Sequence, residues 1–417
     1  MRDDAIFEAR LADAFGRYAD LTPNMDDQAV ARAAMSAGRA SGRIRWLPQV
    51  RVTYLLVILA LLLAAVVVAI AAGTLRTQPH LSIGRDGGIA FTVQGNDHTA
   101  AATHLMNPDG TGDHAIDTGR CPAYSRDGGT LAVVDYDTAA YLTVISADGV
   151  PSRKVLLAET PSTSISYALS PDGARVAWSK PGDGLWVAPI DGGSGRRIVA
   201  NATAPGAFFD TAVWSPDGAS LAFGTYIADA GTGERHRSAL SIVAADGSGL
   251  RELTHRPGVL GDAPSWSPDG RFLAYLGRPD DVQASSTASD VFVIGVDGSG
   301  DRNVTATTAN ESLPAWAPDG AVLAFLTSPD GEAHRLTTVR MNGPTPGGPP
   351  AFGPESEWFV WSPDGTRMLW LEVSTIGPEA YRSTFHAIDR DLTQPPTTVQ
   401  AVDGLIVCTP SWQRLAP

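Results

Sequence analysis

The pentapeptide Trp-Ser-Pro-Asp-Gly constrains this chain more than any other feature. It stands at Trp214 to Gly218, Trp266 to Gly270 and Trp361 to Gly365. Near-copies occur at Leu169 to Gly173, at Trp316 to Gly320 with Ala for Ser, and at Tyr124 to Gly128 with Arg for Pro. Gly84-Arg85-Asp86-Gly87 is a weaker seventh copy. The motif aspartates, Asp86, Asp127, Asp172, Asp217, Asp269, Asp319 and Asp364, follow one another at intervals of 41, 45, 45, 52, 50 and 45 residues. A period in the forties marks a stacked or circular repeat.

The motif has a mechanical meaning. Pro presets φ for the second position of a type I turn, Asp tolerates the third and Gly suits the fourth. A short apolar strand follows each copy, as in Leu221-Ala222-Phe223, Leu273-Ala274-Tyr275, Leu323-Ala324-Phe325 and Met368-Leu369-Trp370. Another precedes it, as in Ala263-Pro264-Ser265-Trp266. Asp172, Asp217, Asp269, Asp319 and Asp364 are therefore expected to be structural turn residues between strands one and two of a unit. A third strand ends in a second Asp-Gly turn (Asp191-Gly192, Asp246-Gly247, Asp297-Gly298), and a fourth follows, as in Arg251-Glu252-Leu253-Thr254. Four antiparallel strands in each unit of this length describe a propeller blade.

This pattern resembles the Trp-Ser-Pro-Asp-Gly β-propeller repeats of the TolB family and its WD40-like relatives, over about residues 82–416. The resemblance implies an all-β propeller and, by analogy, a protein-interaction role in the cell envelope. The chain departs from that family in its hydrophobic anchor, its N-terminal tail and its seventh blade, and it lacks an obvious N-terminal α/β domain. Ring closure follows from the C-terminus. Pro410-Ser411-Trp412-Gln413 matches Pro264-Ser265-Trp266-Ser267 and has no unit after it. That tail is expected to complete blade one and close a ring of seven blades, removing the edges of an open sheet.

Ahead of the repeats, Val52 to Leu75 is a run of 24 residues without a charge. A helix rising about 1.5 Å per residue spans the roughly 30 Å hydrocarbon core over that length. Arg39, Arg43, Arg45 and Arg51 precede it, and Arg76 and Arg85 follow it. The positive-inside bias puts residues 1–51 in the cytoplasm and the propeller, residues 82–417, outside, with 76–81 as a linker. A cleaved signal peptide is the alternative, with Ala69-Ile70-Ala71 as a cleavage-like site; the run is longer than the usual 7–15 residues. Within the tail, Phe7, Leu11, Phe15 and Tyr18 fall at helical spacing, a stripe suited to a cytoplasmic partner of residues 1–38 or to a plain spacer helix.

Net charge over the 417 residues is −14. Residues 1–51 hold 8 Arg and 7 Asp or Glu, so the remainder carries −15. An acidic propeller repels phosphate backbones, which argues against nucleic acid as a partner. Two of the 31 basic residues are lysines, the bias of a GC-rich bacterial genome. Gly-x-Ser-x-Gly, His-Glu-x-x-His and Cys-x-x-Cys are absent from the sequence, so no catalytic residue, metal or cofactor is expected. Asn201-Ala202-Thr203 and Asn303-Val304-Thr305 fit a glycosylation pattern by coincidence.

The connections between second and third strands vary, and three are long: Thr225 to Arg237, Arg278 to Asp290 and Glu372 to Arg382. They share a face with the blade-to-blade crossovers. Arg256, Asp262, Arg278, Asp280, Asp281, Glu311, Glu355 and Glu357 belong to that face and form the candidate ligand-binding set, since loops on a rigid scaffold are where binding resides. Cys121 and Cys408 each precede a first strand, in neighbouring blades if the ring closes as described. They are candidates for a disulfide, against the alternative of two separate thiols. The expected function is non-catalytic binding of a protein, peptide or glycan in the bacterial envelope, from a single-pass membrane anchor. Its rivals are a transmembrane sensor or anti-sigma-like regulator, and a propeller lyase or glycosidase.

Overall fold

The computed structural model describes residues 85–415 apart from short connections, the longest being 255–262 and 280–288. The expected tail and membrane helix lie outside the described residues. Those residues form a seven-bladed all-β propeller of four-stranded blades, in seven sheets. Blade three shows the plan: Ser166–Leu169, Arg175–Lys180, Gly184–Pro189 and Arg196–Ala200 lie side by side in chain order, all antiparallel. Blades one, four and six add short extra strands to this plan.

The apolar strands are continuous rather than alternating because both faces of each sheet are covered. In blade two, Leu131, Ala132, Val133 and Val134 are all buried. Ala132 and Val134 pack with Val176 and Trp178 of blade three, whereas Leu131 and Val133 pack with Ala90 and Ile116 of blade one. Similar clusters join blades three to four, four to five, five to six, six to seven, and seven to one. Each sheet is thus half of two cores, and the set of cores is circular. Full burial of one Leu, Ile, Val or Phe in such a core is worth about 1.5–3 kcal/mol.

At one end of the ring stand the repeated turns. In blade four, the Ser215 hydroxyl donates to Asp217 Oδ1 at 2.6 Å and accepts from the Ser220 amide at 2.9 Å. The Ala219 amide donates to the same carboxylate oxygen at 2.9 Å, and the Gly218 amide donates to the Ser215 carbonyl at 2.8 Å. The hydroxyl-to-carboxylate bond recurs at Ser125, Ser170, Ser267 and Ser362. In blade seven the glycine is required twice over. Gly365 has φ +68°, and a Cβ there would stand 3.2 Å from Pro318 Cδ of the preceding blade's turn. Gly218, Gly270 and Gly320 also face Pro171, Pro216 and Pro268, at ordinary contact distance, so there the positive φ alone requires glycine. The motif tryptophan ties blades together too: Trp214, Trp266 and Trp361 donate from Nε1 to the carbonyls of Ala168, Val213 and Ala315, at 3.0, 3.1 and 3.1 Å.

Closure follows the expected scheme, with one correction. Ser411–Leu415 pairs with Arg85–Gln94 and supplies the first strand of blade one. Ser411 Oγ accepts from the Tyr124 amide at 2.8 Å, as Ser265 Oγ accepts from Trp316 at 3.1 Å, so the two serines are equivalent. However, Arg85-Asp86-Gly87 of the weaker copy is not a turn. Arg85, Asp86 and Gly87 belong to a strand, and Asp86 lies opposite Arg414. The first strand of this blade arrives from the other end of the chain, so no hairpin exists for the motif to turn. Asp86 instead accepts from Arg367 of blade seven at 2.7 Å.

A second correction concerns two of the long connections. Thr225 pairs with Ala239, and Ile227 with Arg237, so most of that stretch is hairpin. Likewise Glu372, Val373, Ser374 and Thr375 pair with Thr384, Ser383, Arg382 and Tyr381. Alternating β-branched residues such as Val373 and Thr375 favour this extension of the ladder.

Candidate functional site: the end opposite the repeated turns

At the other end of the ring, blades meet through side chains that do not repeat. The best-defined cluster lies between blades five and six. Asp290 opens the third strand of blade five, Asp290–Gly295, and Glu311 lies at the start of the first strand of blade six, Asn310–Trp316. Both residues are 1% exposed. The Asn303 amide nitrogen donates to Asp290 Oδ2 at 2.5 Å, while the Thr305 hydroxyl and the Thr307 amide each reach Oδ1 at 3.2 Å. The Thr307 hydroxyl donates to Glu311 Oε1 at 2.6 Å. Backbone contacts fix the two strands: the Glu311 amide donates to the Ser289 carbonyl at 2.9 Å, and the Ser289 hydroxyl donates to the Glu311 carbonyl at 2.6 Å.

Burial, together with the adjacent Asp290 carboxylate, pushes the Glu311 carboxyl up to about 8. Glu311 Oε2 has no donor. A protonated Glu311 resolves this, because its own O–H then donates to Asp290, with which it lies in hydrogen-bonding reach. Both carboxyls are buried in the seam between the two blades.

Of the expected binding set, Glu311 is therefore on the expected end but inside the seam rather than on its surface. Arg278 is half-buried just beyond the second strand of blade five, Phe272–Gly277. Arg256, Asp262, Asp280, Asp281 and Glu357 lie outside the described residues, as does the side chain of Glu355, whose backbone pairs with Arg335. Sequence reasoning missed Asp290 and Asn303. Their signal was a carboxylate opening the apolar run Asp290-Val291-Phe292-Val293, followed by an Asn-x-Thr that serves it as donors rather than as a glycosylation acceptor. Among the described residues, no group of three or more His, Cys, Asp or Glu is arranged to hold a metal ion.

Cys121 and Cys408 meet at the same end, at the seam between blades one and two. Their sulfurs are bonded, with Cα atoms 5.0 Å apart. Cys121 sits in a bulge between Arg120 and Ala123 at φ +51°, the conformation that Leu313 adopts in the matching bulge of blade six. The Cys121 amide donates to Thr92 Oγ1 at 3.0 Å, and its carbonyl accepts from Tyr167. The bulge thus anchors one half of the bridge to both neighbouring blades.

A family model described as the TolB beta propeller domain matches residues 87–345, well over half of the chain. The chain belongs to the TolB β-propeller family. Solved propellers similar to this TolB-family chain include the tricorn protease, at TM-score 0.54 and 13% identity over 77% of this chain and 34% of that one. Another is an oligogalacturonate lyase from Vibrio parahaemolyticus, at TM-score 0.52 and 14% identity over 75% and 86%. TolB from Acinetobacter baumannii gives 0.49 and 13% over 78% and 66%. The first two likenesses show the fold alone. A curated relative, "Uncharacterized peptidase YuxL" of Bacillus subtilis (strain 168), is 27% identical over 180 residues, 42% of this chain and 24% of that protein. The chain thus matches about a quarter of that relative's length.

Proposed function

We propose that this TolB-family propeller is a non-catalytic binding module held at the bacterial cell membrane, with residues 52–75 as anchor, residues 1–51 in the cytoplasm and the propeller outside. The observation that carries this reading is the Cys121–Cys408 bond at the ring seam. Such bonds persist in oxidising compartments, which lie outside the cytoplasm. The charge-free run from Val52 to Leu75 and the arginines before it support the same orientation. Binding is favoured by the division of the ring into a repeated end and a variable one. Rigid scaffolds carry recognition on their variable ends, and the partner classes that fit are protein, peptide or glycan.

The orientation is tested with a reporter active only outside the cytoplasm, fused after Pro417. Activity is expected, and activity of a cytoplasm-only reporter at the same place overturns the orientation. Binding is tested by site-specific photo-crosslinking in native cells, from positions at the variable end and from positions beside the repeated turns. Discrete adducts are expected from the variable end. Equal labelling of both ends overturns the assignment.

A further inference from the structure

Among the described residues, blades four and seven carry the longest hairpins of second and third strands, each running well past the first strand. In blade four, the first strand Val213–Trp214 pairs with Ala222 and Leu221, and the second strand Ser220–Ala228 continues beyond it. The chain covers the continuation itself. Ala207–Phe209 pairs antiparallel to it, with Phe209 opposite Thr225, Phe208 opposite Tyr226 and Ala207 opposite Ile227. In blade seven, Phe359–Trp361 pairs with Trp370 to Met368, and the second strand Arg367–Gly377 continues in the same way. The matching pairs Trp214 to Leu221 and Trp361 to Met368 align the blades, so Thr225, Tyr226 and Ile227 correspond to Glu372, Val373 and Ser374.

No described strand covers that edge in blade seven. Its polar groups point the right way to receive one. The Leu371 amide donates inward, to the Trp358 carbonyl at 3.1 Å. By the two-residue alternation of a strand, Val373 and Thr375 present their N–H and C=O groups in the same inward direction. The hairpin is held out rigidly. Its third strand, Ala380–Asp389, is paired on the outer side with Thr397–Asp403, and Asn96 of blade one brackets Tyr381 with bonds of 2.8 and 3.0 Å. Ile376, at 46% exposure, stands near the tip.

We infer that the inner edge of Val373 to Thr375 in blade seven is a docking edge for an extended segment of a protein partner, which adds as an antiparallel strand. The occupant is defined by the molecule's own precedent in blade four, where such a segment occupies the equivalent edge. Main-chain bonds supply the attachment, and side chains alternating over the two faces supply the selection. This site deepens the binding role proposed above and rests on it.

The test is hydrogen exchange on the full chain in detergent, with a synthetic peptide of residues 205–211 as probe. In the free chain, the Val373 and Thr375 amides exchange fast, while the amides paired within the hairpin are protected. Saturating probe slows Val373 and Thr375 by roughly tenfold or more. The same peptide N-methylated at Phe208 leaves them fast, because the register of blade four places that nitrogen opposite Val373. Thr375→Pro, which removes an edge donor without removing a bond between the two hairpin strands, also abolishes the protection while the amides of the other blades keep theirs. Slow exchange of both amides without probe overturns the inference: concentration dependence would identify a second copy as the cover, and its absence another segment of this chain. Protection elsewhere at the variable end but not at these amides overturns the docking edge while leaving the binding role standing.

Discussion

The two ends of the ring are built from the same blades by different means. At the turn end, Ser, Pro, Asp and Gly do one job repeatedly, and proline of one blade meets glycine of the next. At the opposite end, two blade junctions are particular: a carboxyl pair joins blades five and six, and a bridge of two sulfurs joins one and two. Their electrostatics differ in sign. The Ser170 hydroxyl holds the Asp172 carboxyl below its ordinary value, whereas burial holds Glu311 above. The repeated end combines local bonds that each blade carries in its own sequence with contacts that recur from one blade to the next. The other end depends on which blades become neighbours.

The largest test of that contrast removes the closing strand. Deleting residues 408–417 strips Trp412 from the core between blades seven and one and exposes an edge of blade one. The loss is expected to exceed the whole stability of an ordinary domain, about 5–15 kcal/mol, and to abolish a cooperative melt. Next, Cys121→Ser with Cys408→Ser opens a loop of 287 residues. A destabilisation of about 2–5 kcal/mol is expected by denaturant titration, matched by adding reductant to the unmodified chain.

Two glycine substitutions sharpen the comparison within one conformation. Gly128→Ala and Gly249→Ala both place Ala at positive φ, +74° and +65°. A Cβ at Gly128 would fall 1.6 Å from the Arg414 carbonyl oxygen, whereas at Gly249 nothing lies within 4 Å. Gly249→Ala is expected to cost about 1–2 kcal/mol for the backbone alone, and Gly128→Ala about 3 kcal/mol or more because the seam must also shift. Equal costs would mean that the turn ring is not close-packed.

The carboxyl pair predicts a pH dependence opposite to that of the turns. Between the ordinary 4.5 and about 8, folded Glu311 keeps a proton that the unfolded chain releases. Its contribution is full below the ordinary value and is lost as pH rises through about 8. Glu311→Gln, which keeps a donor for Asp290, is therefore expected to flatten the fall in stability between pH 5 and 9, by about 1–3 kcal/mol. Asp172 works the other way: its contribution is present above the ordinary carboxylate value and is lost as pH falls through its lowered one. A Glu311→Gln variant that melts with the unmodified pH profile would show that Glu311 is ionised in the folded chain. The smallest effect is at a single turn. Ser215→Ala is expected to cost about 1 kcal/mol, since blade six folds with Ala317 in that place and binds its Asp319 through Arg390 at 2.7 and 3.2 Å instead.

How much was legible follows the same division. The turns, the four-stranded unit and the return of the C-terminal strand could be read because each rests on a few adjacent residues or on a match between two short segments. Asp86 misled because its tripeptide resembles a turn, yet the topology of blade one leaves no hairpin there. Glu311 read as a surface acid because nothing within its own strand shows that Asp290 and Asn303 stand beside it.

The sequence by itself determined the blade, its period and the number of repetitions, since a type I turn and an apolar strand are specified by local chemistry. Tertiary structure alone decided which side chains became neighbours across the blades. It sealed Glu311 against Asp290, brought Cys121 within bonding distance of Cys408, and, among the described residues, gave blade four a covering strand that blade seven does not show. Those outcomes depend on the closing of a ring, a condition on all blades at once that no single repeat contains.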